Sequence, residues 1–213
     1  MQIVIYKEKD VLGKLSTRDL YEENFDIGDV EFVNYYYDEI IKRNVVVAMI
    51  DDESKVISMV HLNPYLYNIS GKERWVHYLV AIATRKDYRK KGYMSRVLDE
   101  ALKYLQNLHE PFCYVVPISD AVKGIYERFG FEEVCKFTLD KFSDDAYDIY
   151  PVKTEEYLNL MKKEQYFLDL EDESYKESLQ KKSVMIKLLD TEGISFKSIE
   201  MLKNKKIYVC QEV

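Results

Sequence analysis

Residues His77–Leu105, HYLVAIATRKDYRKKGYMSRVLDEALKYL, decide how the rest of the chain is read. Tyr78 to Thr84 is an almost uncharged run with β-branched residues, the signal of a buried strand. From Tyr93, Met94, Val97, Leu98, Ala101, Leu102 and Leu105 recur at three- and four-residue spacing, which predicts an amphipathic helix. Between the two lies a basic turn, Arg89-Lys90-Lys91, closed by Gly92. The first N–H groups of a helix have no internal partner, and the helix dipole adds a partial positive charge there. Gly92 lets the backbone approach a ligand closely, so strand, turn and helix together describe an anion site. The plainer alternative is a solvated basic turn ahead of a core helix.

Outward from this stretch, the 213 residues suffice for one large domain, or one with a small addition. Hydrophobic residues make up 47%, enough for a sizeable core. A formal charge of −7 argues against general nucleic-acid binding and leaves room for a cationic substrate. Cys113, Cys135 and Cys210 are scattered, so no disulfide framework or metal cluster is expected and a reduced, cytoplasmic setting fits. MQIVIYKEKD reads as a short strand and then charge rather than a signal peptide. No apolar run approaches the roughly 20 residues of a membrane helix.

In chain order, Gln2–Tyr6 reads as a strand. Ser16–Tyr21 opens a helix with Ser16 as N-cap and Asp19 three residues on, and Val30–Ile41 gives a second helix. Val45–Ile50 and Lys55–Leu62 read as a hairpin around Asp51–Ser54, with Pro64 ending the second strand because it has no N–H to donate. After a turn at Ile69–Lys72 comes the strand into Thr84. Beyond the long helix, Phe112–Val116 is a short strand, expected to lie parallel to His77–Thr84 with the helix as crossover. Ser119 or Asp120 caps a helix through Tyr126. Gly130 is its left-handed exit, and Phe131–Thr138 returns as a strand. Further on, a helix over Glu155–Phe167 places Tyr157, Leu158, Met161 and Tyr166 on one side. Glu171–Glu173 is a solvated turn, Val184–Leu189 and Ile207–Cys210 are strands, and Ile194–Leu202 is a helix.

The six positions Arg89-Lys90-Lys91-Gly92-Tyr93-Met94 resemble motif A of the GNAT acetyltransferases, Arg/Gln-x-x-Gly-x-Gly/Ala, with Met94 as a departure at the last. Ile125-Tyr126 followed by Phe129-Gly130-Phe131 is similar to the end of motif B. The phrases YYYDEI (Tyr35–Ile40), SMVHLNPY (Ser58–Tyr65), HYLVAIATRKDYRKKGYM (His77–Met94) and PFCYVVPISDAVKGIYERFGF (Pro111–Phe131) narrow the likeness to the Eis-like branch, over about residues 1–140. Pro117–Tyr126 is a few residues longer than is usual there. The resemblance implies an α/β (α+β) fold. Its mixed, mostly antiparallel sheet would be flanked by helices and splayed between the motif A strand and the next parallel strand. Residues 1–140 would form the acetyltransferase domain and 141–213 a small α/β appendage, much shorter than the C-terminal domains of those relatives.

The implied chemistry is acetyl transfer from acetyl-CoA to a primary amine by direct attack in a ternary complex, with no metal. Main-chain groups of Ile82, Ala83 and Thr84 would hold the pantetheine arm and polarise the thioester. Arg89, Lys90, Lys91, Gly92, Tyr93 and Met94 would hold the pyrophosphate, and Ser119 joins the cofactor set. Tyr126 matches the family's general acid. A phenol is protonated at neutral pH, and the leaving thiolate has comparable basicity. Yet a tyrosine among 19 can equally be a core ring. Asp26, Tyr36 and Glu212 are candidates for a cationic amine. The last strand would bring the Val213 α-carboxylate to the active cleft, within reach of Tyr126. A terminal strand that merely completes the appendage is the plainer reading. His77 reads as a packing or hydrogen-bonding residue, and Cys113 as buried and inert. The partner is a small-molecule or peptide amine. Tyrosine-rich segments would suit a homo-oligomer interface. The rival class is a non-catalytic acyl-CoA sensor that kept the cofactor cleft and lost turnover.

Overall fold

The computed structural model of the chain describes residues 1–25, 30–139 and 146–209. It divides into two compact units, Met1–Pro64 with Leu79–Leu108, and Tyr65–Tyr78 with the chain from His109 onward. Two long strands run from one unit into the other.

The first unit begins with β1 (Gln2–Tyr6), then α1 (Val11–Leu15), α2 (Arg18–Asn24) and α3 (Val30–Tyr35). A π-helical turn, Tyr36–Ile40, joins α3 to α4 (Ile41–Arg43). Strands β2 (Val45–Ile50), β3 (Val56–Ile69) and β4 (Lys72–Thr84) follow, and α5 (Tyr93–Asn107) ends the unit. The order here is β1-β2-β3-β4, with β1 and β3 antiparallel to β2. Helix α5 packs on β2 through Val97, Leu98, Ala101, Leu102 and Leu105, five of the six positions of the expected stripe. Each of the valine and leucine side chains, buried on folding, contributes roughly 1.5–3 kcal/mol, and Ala101 less.

Two local expectations are corrected in this unit. Ser16 is not an N-cap: it follows α1, its hydroxyl donates to the Gly13 carbonyl, and Thr17 precedes α2. Pro64 does not end β3. Pairing with β2 stops at Val45↔Leu62, and pairing with β7 (Ile149–Pro151) starts at Tyr67↔Pro151. Pro64 therefore falls in the gap between two ladders on that side, where a missing N–H removes no bond.

The first unit also buries a chain of polar groups. The Lys14 ammonium, fully buried, donates to the carbonyls of Lys42 and Asn44. His61 sits with Nδ1 3.0 Å from the Tyr36 hydroxyl and Nε2 3.3 Å from Thr17 Oγ1, and Thr17 Oγ1 is 3.1 Å from the Tyr37 hydroxyl. Neutral imidazole can donate with one nitrogen and accept with the other, so these hydroxyls satisfy it without a charge. Burial, with Lys14 adding to it, pushes the imidazole down to about 3. Below about pH 6.5 the unfolded chain takes up a proton that the folded chain refuses, so stability falls as the pH is lowered from there toward 3. The slope attributable to His61 approaches 1.4 kcal/mol per pH unit, a figure of about one proton's linkage. Urea midpoints between pH 7 and 4 measure it, and His61→Gln is expected to flatten the difference. A variant with the wild-type slope would refute the assignment.

The second unit takes the far half of β3 and the near half of β4, joined by a tight turn in which Ser70 and Gly71 have φ of +52° and +84°. It adds β5 (Phe112–Val115), α6 (Asp120–Glu127), β6 (Glu132–Lys136), β7, α7 (Glu155–Leu170), α8 (Glu173–Gln180), β8 (Ser183–Leu188) and α9 (Ile199–Lys203). The order is β4-β5-β8-β6, with β7 on β3. β4 and β5 are parallel through His77↔Cys113 and Tyr78↔Tyr114, as the crossover predicted, and β8 is antiparallel to both β5 and β6. Across the parallel pair the rings of Tyr78 and Tyr114 stack at 5.0 Å, and Tyr67, Phe112 and Phe196 extend the aromatic core.

Beyond Lys136 the sequence reading departs further from the structure. The strand expected near Val184 exists, but as an interior strand between β5 and β6, so residues assigned to an appendage complete the sheet. Helix α7 buries Tyr157, Leu160 and Phe167, while Leu158 and Tyr166 are exposed. Asp172, read within a solvated turn, caps α8 by accepting from the Tyr175 N–H. The helix expected over Ile194–Leu202 is confined to α9, and at Ile207 a single bridge to Ile149 stands in place of a strand among the described residues. No helix of the described residues is long and apolar enough to cross a membrane.

Candidate active site

The anion site is assembled within the first unit. Strand β4 ends at Thr84, a short 3-10 turn spans Lys86–Tyr88, and the chain then reverses into α5. Lys90 and Gly92 both adopt left-handed conformations, φ +61° and +79°. Glycine takes this freely, whereas lysine does so at a cost of about 1–2 kcal/mol. A Cβ built on Gly92 would meet nothing within 4 Å, so open space faces the backbone at this point. The first helical bond runs from the Arg96 N–H to the Gly92 carbonyl at 3.1 Å, leaving the preceding amides of the first turn without helical partners. The sequence reading expects an anion here, and first-turn amides at a helix N-terminus beside basic side chains are groups that can bind one.

The basic side chains are less free than their spacing suggests. Arg89 donates through Nε to the Thr84 carbonyl at 3.1 Å and through Nη2 to Asn24 Oδ1 at 2.7 Å. Lys91 donates to the Asp87 carbonyl and lies 5.4 Å from the Tyr88 ring centroid. Lys90 is exposed. Tyr93, half-buried, packs against Tyr88, and Met94 is half-buried at the start of the helical stripe.

Sequence reasoning missed what fixes this turn. Arg85, almost buried, donates to the Val56 carbonyl and pairs with Glu23 at 2.6 Å and Asp19 at 2.5 Å. Glu23 also accepts from the Lys86 N–H. Helix α2 is thereby strapped to the chain entering the turn. An acidic i, i+4 pair facing an arginine could have signalled this, but only once helix and turn were known to meet.

Ala81 was also missed as a special position. It has φ +51° inside β4, a kink of the kind that β-bulges produce, and alanine gives no local sign of it. Ile82 is half-buried and Ala83 buried. The Ala83 carbonyl accepts from Ser58 Oγ, which also lies 2.8 Å from Thr84 Oγ1.

In the second unit, Ser119 stands at the N-cap of α6, exposed and with no bond from its hydroxyl to the helix. Tyr126 lies in the last turn, its ring edge-on to Phe131 at 6.1 Å. Burial pushes its phenol up to about 12, and the hydroxyl has no hydrogen-bond partner among the described residues. An acid held this way is protonated at every physiological pH. Gly130, φ +80°, provides the expected left-handed exit, and both Phe129 and Phe131 donate to the Tyr126 carbonyl.

The remaining candidates fare differently. Tyr36 is 1% exposed with its hydroxyl on His61, so its ring offers no wall to a substrate in this arrangement. Asp26, Glu212 and Val213 lie outside the described residues. His77 is buried with Nδ1 2.6 Å from the Glu110 carboxylate, and Cys113 is fully buried, its thiol pushed well above the usual range. Among the described residues no group of three or more His, Cys, Asp or Glu could hold a metal.

A family model described as acetyltransferase (GNAT) domain matches residues 15–134. The chain belongs to this family. It is an N-acetyltransferase by that membership, and its fold is shared with solved members. A putative N-acetyltransferase from Lactobacillus plantarum is 13% identical at a TM-score of 0.55, over 88% of this chain and 97% of that one. A Mycobacterium tuberculosis protein solved in complex with CoA is 16% identical at 0.50, over 89% and 99%. A probable N-acyltransferase from Enterococcus faecalis is 18% identical at 0.54, over 63% of this chain, which spans only a third of that larger one. No curated protein matches.

Proposed function

We propose that this acetyltransferase moves an acetyl group from acetyl-CoA to a primary amine by direct attack in a ternary complex, and that it belongs to the Eis-like branch. The observation that carries the reading is the turn at Arg89–Met94: a left-handed glycine with open space before it, leading into unpaired helix amides. These are the groups that a pyrophosphate requires. Arg89 would exchange its bond to Asn24 for a phosphate oxygen, and Lys90 supplies charge without losing a partner. The CoA of the Mycobacterium tuberculosis structure supports the same donor in this fold.

The neutral amine attacks the thioester carbonyl and forms the C–N bond. A backbone N–H of the Ile82–Thr84 segment stabilises the oxyanion, as preorganised donors do in acyl transfer. Collapse breaks the C–S bond, the amine proton leaves to solvent or a base, and Tyr126 gives its proton to the CoA thiolate. A net charge of −7 favours a cationic acceptor through long-range attraction.

Thiol release from acetyl-CoA, measured with polyamines, aminoglycosides and lysine peptides, tests the reading. Turnover of at least one cationic amine is expected, with its KM rising as salt is added. Tight CoA binding without turnover of any amine would instead identify an acyl-CoA sensor. Equal turnover of neutral amines with no salt effect would remove the charge argument.

A further inference from the structure

We propose that Lys187 is a positioning residue for Tyr126, acting through the main chain of the turn that follows the acid. This rests on the reading of Tyr126 as the general acid.

Helix α6, which carries Tyr126, has no fully buried residue. Its apolar packing is only partial, and polar ties add to what orients it. One tie lies on its first turns, where Lys123 bridges Asp120 and Glu133. The other lies at its end. The Tyr126 carbonyl accepts from the N–H groups of Phe129 at 2.9 Å and Phe131 at 3.2 Å, which closes the turn on the acid's own backbone. The Phe129 carbonyl accepts from Lys187 Nζ at 2.6 Å. An ammonium at a helix C-terminus also meets the negative end of the dipole.

Gly130 makes room for this contact. A Cβ there would stand 2.8 Å from Lys187 Nζ, so the glycine serves the lysine as well as the left-handed turn. Lys187 lies in β8 opposite Cys113, one residue past Ile186, where the pairing of that strand with β6 ends. Lys187 thus links an interior strand of this unit to a helix with no fully buried residue. Residue 187 lies past the 15–134 match, so the segment beyond the family model contributes to the acid's placement. The raised phenol of Tyr126 comes from burial, and the contact of Lys187 is with the main chain of the turn, so the part given to the lysine is one of position.

The test is a double-mutant cycle in the full chain, with acetyl-CoA and whichever panel amine the wild type turns over fastest. Lys187→Met is expected to lower kcat about tenfold, the scale of a small misplacement of a reacting group. KM for acetyl-CoA should be unchanged. In a Tyr126→Phe background the same change should lower kcat no further, because the group it positions is already gone. Lys187→Arg, which can still reach the carbonyl, should recover most of the loss. Independently of turnover, hydrogen exchange at the Phe129 and Phe131 amides should quicken in Lys187→Met, while the β8 amides stay protected. Equal losses in both backgrounds, or unchanged exchange in the turn, would overturn the part given to Lys187. Wild-type kcat in Tyr126→Phe alone would overturn the acid reading instead.

Discussion

Tyr126→Phe is expected to lower kcat by about 10²–10⁴-fold, the range of general acid catalysis, and to leave KM for acetyl-CoA near its wild-type value. The substitution is well suited to separate chemistry from folding. The ring keeps its edge contact with Phe131, and both bonds to the Tyr126 carbonyl remain. The hydroxyl has no partner among the described residues, so its removal strands no buried group there. With the phenol pushed up to about 12, the acid stays protonated throughout the ordinary assay range. Loss of kcat from its ionisation should begin only above about pH 11. A fall at lower pH in the wild type would belong to another group and should persist in Tyr126→Phe. Stopped-flow thiol release across pH measures both. A variant with wild-type kcat would show that solvent or another side chain protonates the thiolate.

Gly92→Asp is expected to raise KM for acetyl-CoA by about 10–100-fold, with a smaller effect on kcat. This is the loss of one or two charge-assisted bonds of roughly 1.5–3 kcal/mol. Steric exclusion by neighbouring atoms is not the cause, because a Cβ at this position meets nothing within 4 Å. Two other effects act. The left-handed φ of +79° is strained for aspartate, and its carboxylate would occupy the unpaired amides that a pyrophosphate needs. Gly92→Asn separates them: asparagine bears the same left-handed backbone as aspartate but carries no charge, so its KM should rise far less. Added salt should narrow the difference between the two variants, since repulsion of an anion is screened. An unchanged KM in a folded Gly92→Asp protein would remove the turn from the cofactor site.

The parts of the site that were legible in the sequence are those whose signals are local. The β-branched run of β4, the glycine of the turn and the three-four spacing of α5 lie within one stretch, and each states its own conformation. Gly130 is legible for the same reason. What escaped depends on a partner distant in sequence. Pro64 reads as a terminator until β3 is seen to change neighbours on either side of it. Arg85 looks like one more basic residue until Asp19 and Glu23 stand against it. In α7, Leu158 and Leu160 are equally apolar, and only the packing shows which one is covered. Ala81 carries no mark of its left-handed backbone, because tertiary context imposes that conformation on an ordinary residue. Tyr36 was a candidate ring wall for a cationic substrate, yet it is buried in the π-helical turn with its hydroxyl on His61.

The position of β8 has a consequence for how the protein is made. Strands β5 and β6 leave the ribosome well before the strand that lies between them, with Phe137–Lys182 still to be translated. At about 5–20 residues per second that gap lasts several seconds. During it the edges that β8 will cover are open templates for pairing with other chains. The first unit has no such wait, since its last element ends with α5 at Asn107. Tyr126 lies between β5 and β6 in the chain, so the nascent protein completes the Arg89–Met94 turn early and the surroundings of Tyr126 late. A polypeptide stalled or cleaved before Ser183 would carry the tyrosine without β8, whose Lys187 donates to the turn that follows it.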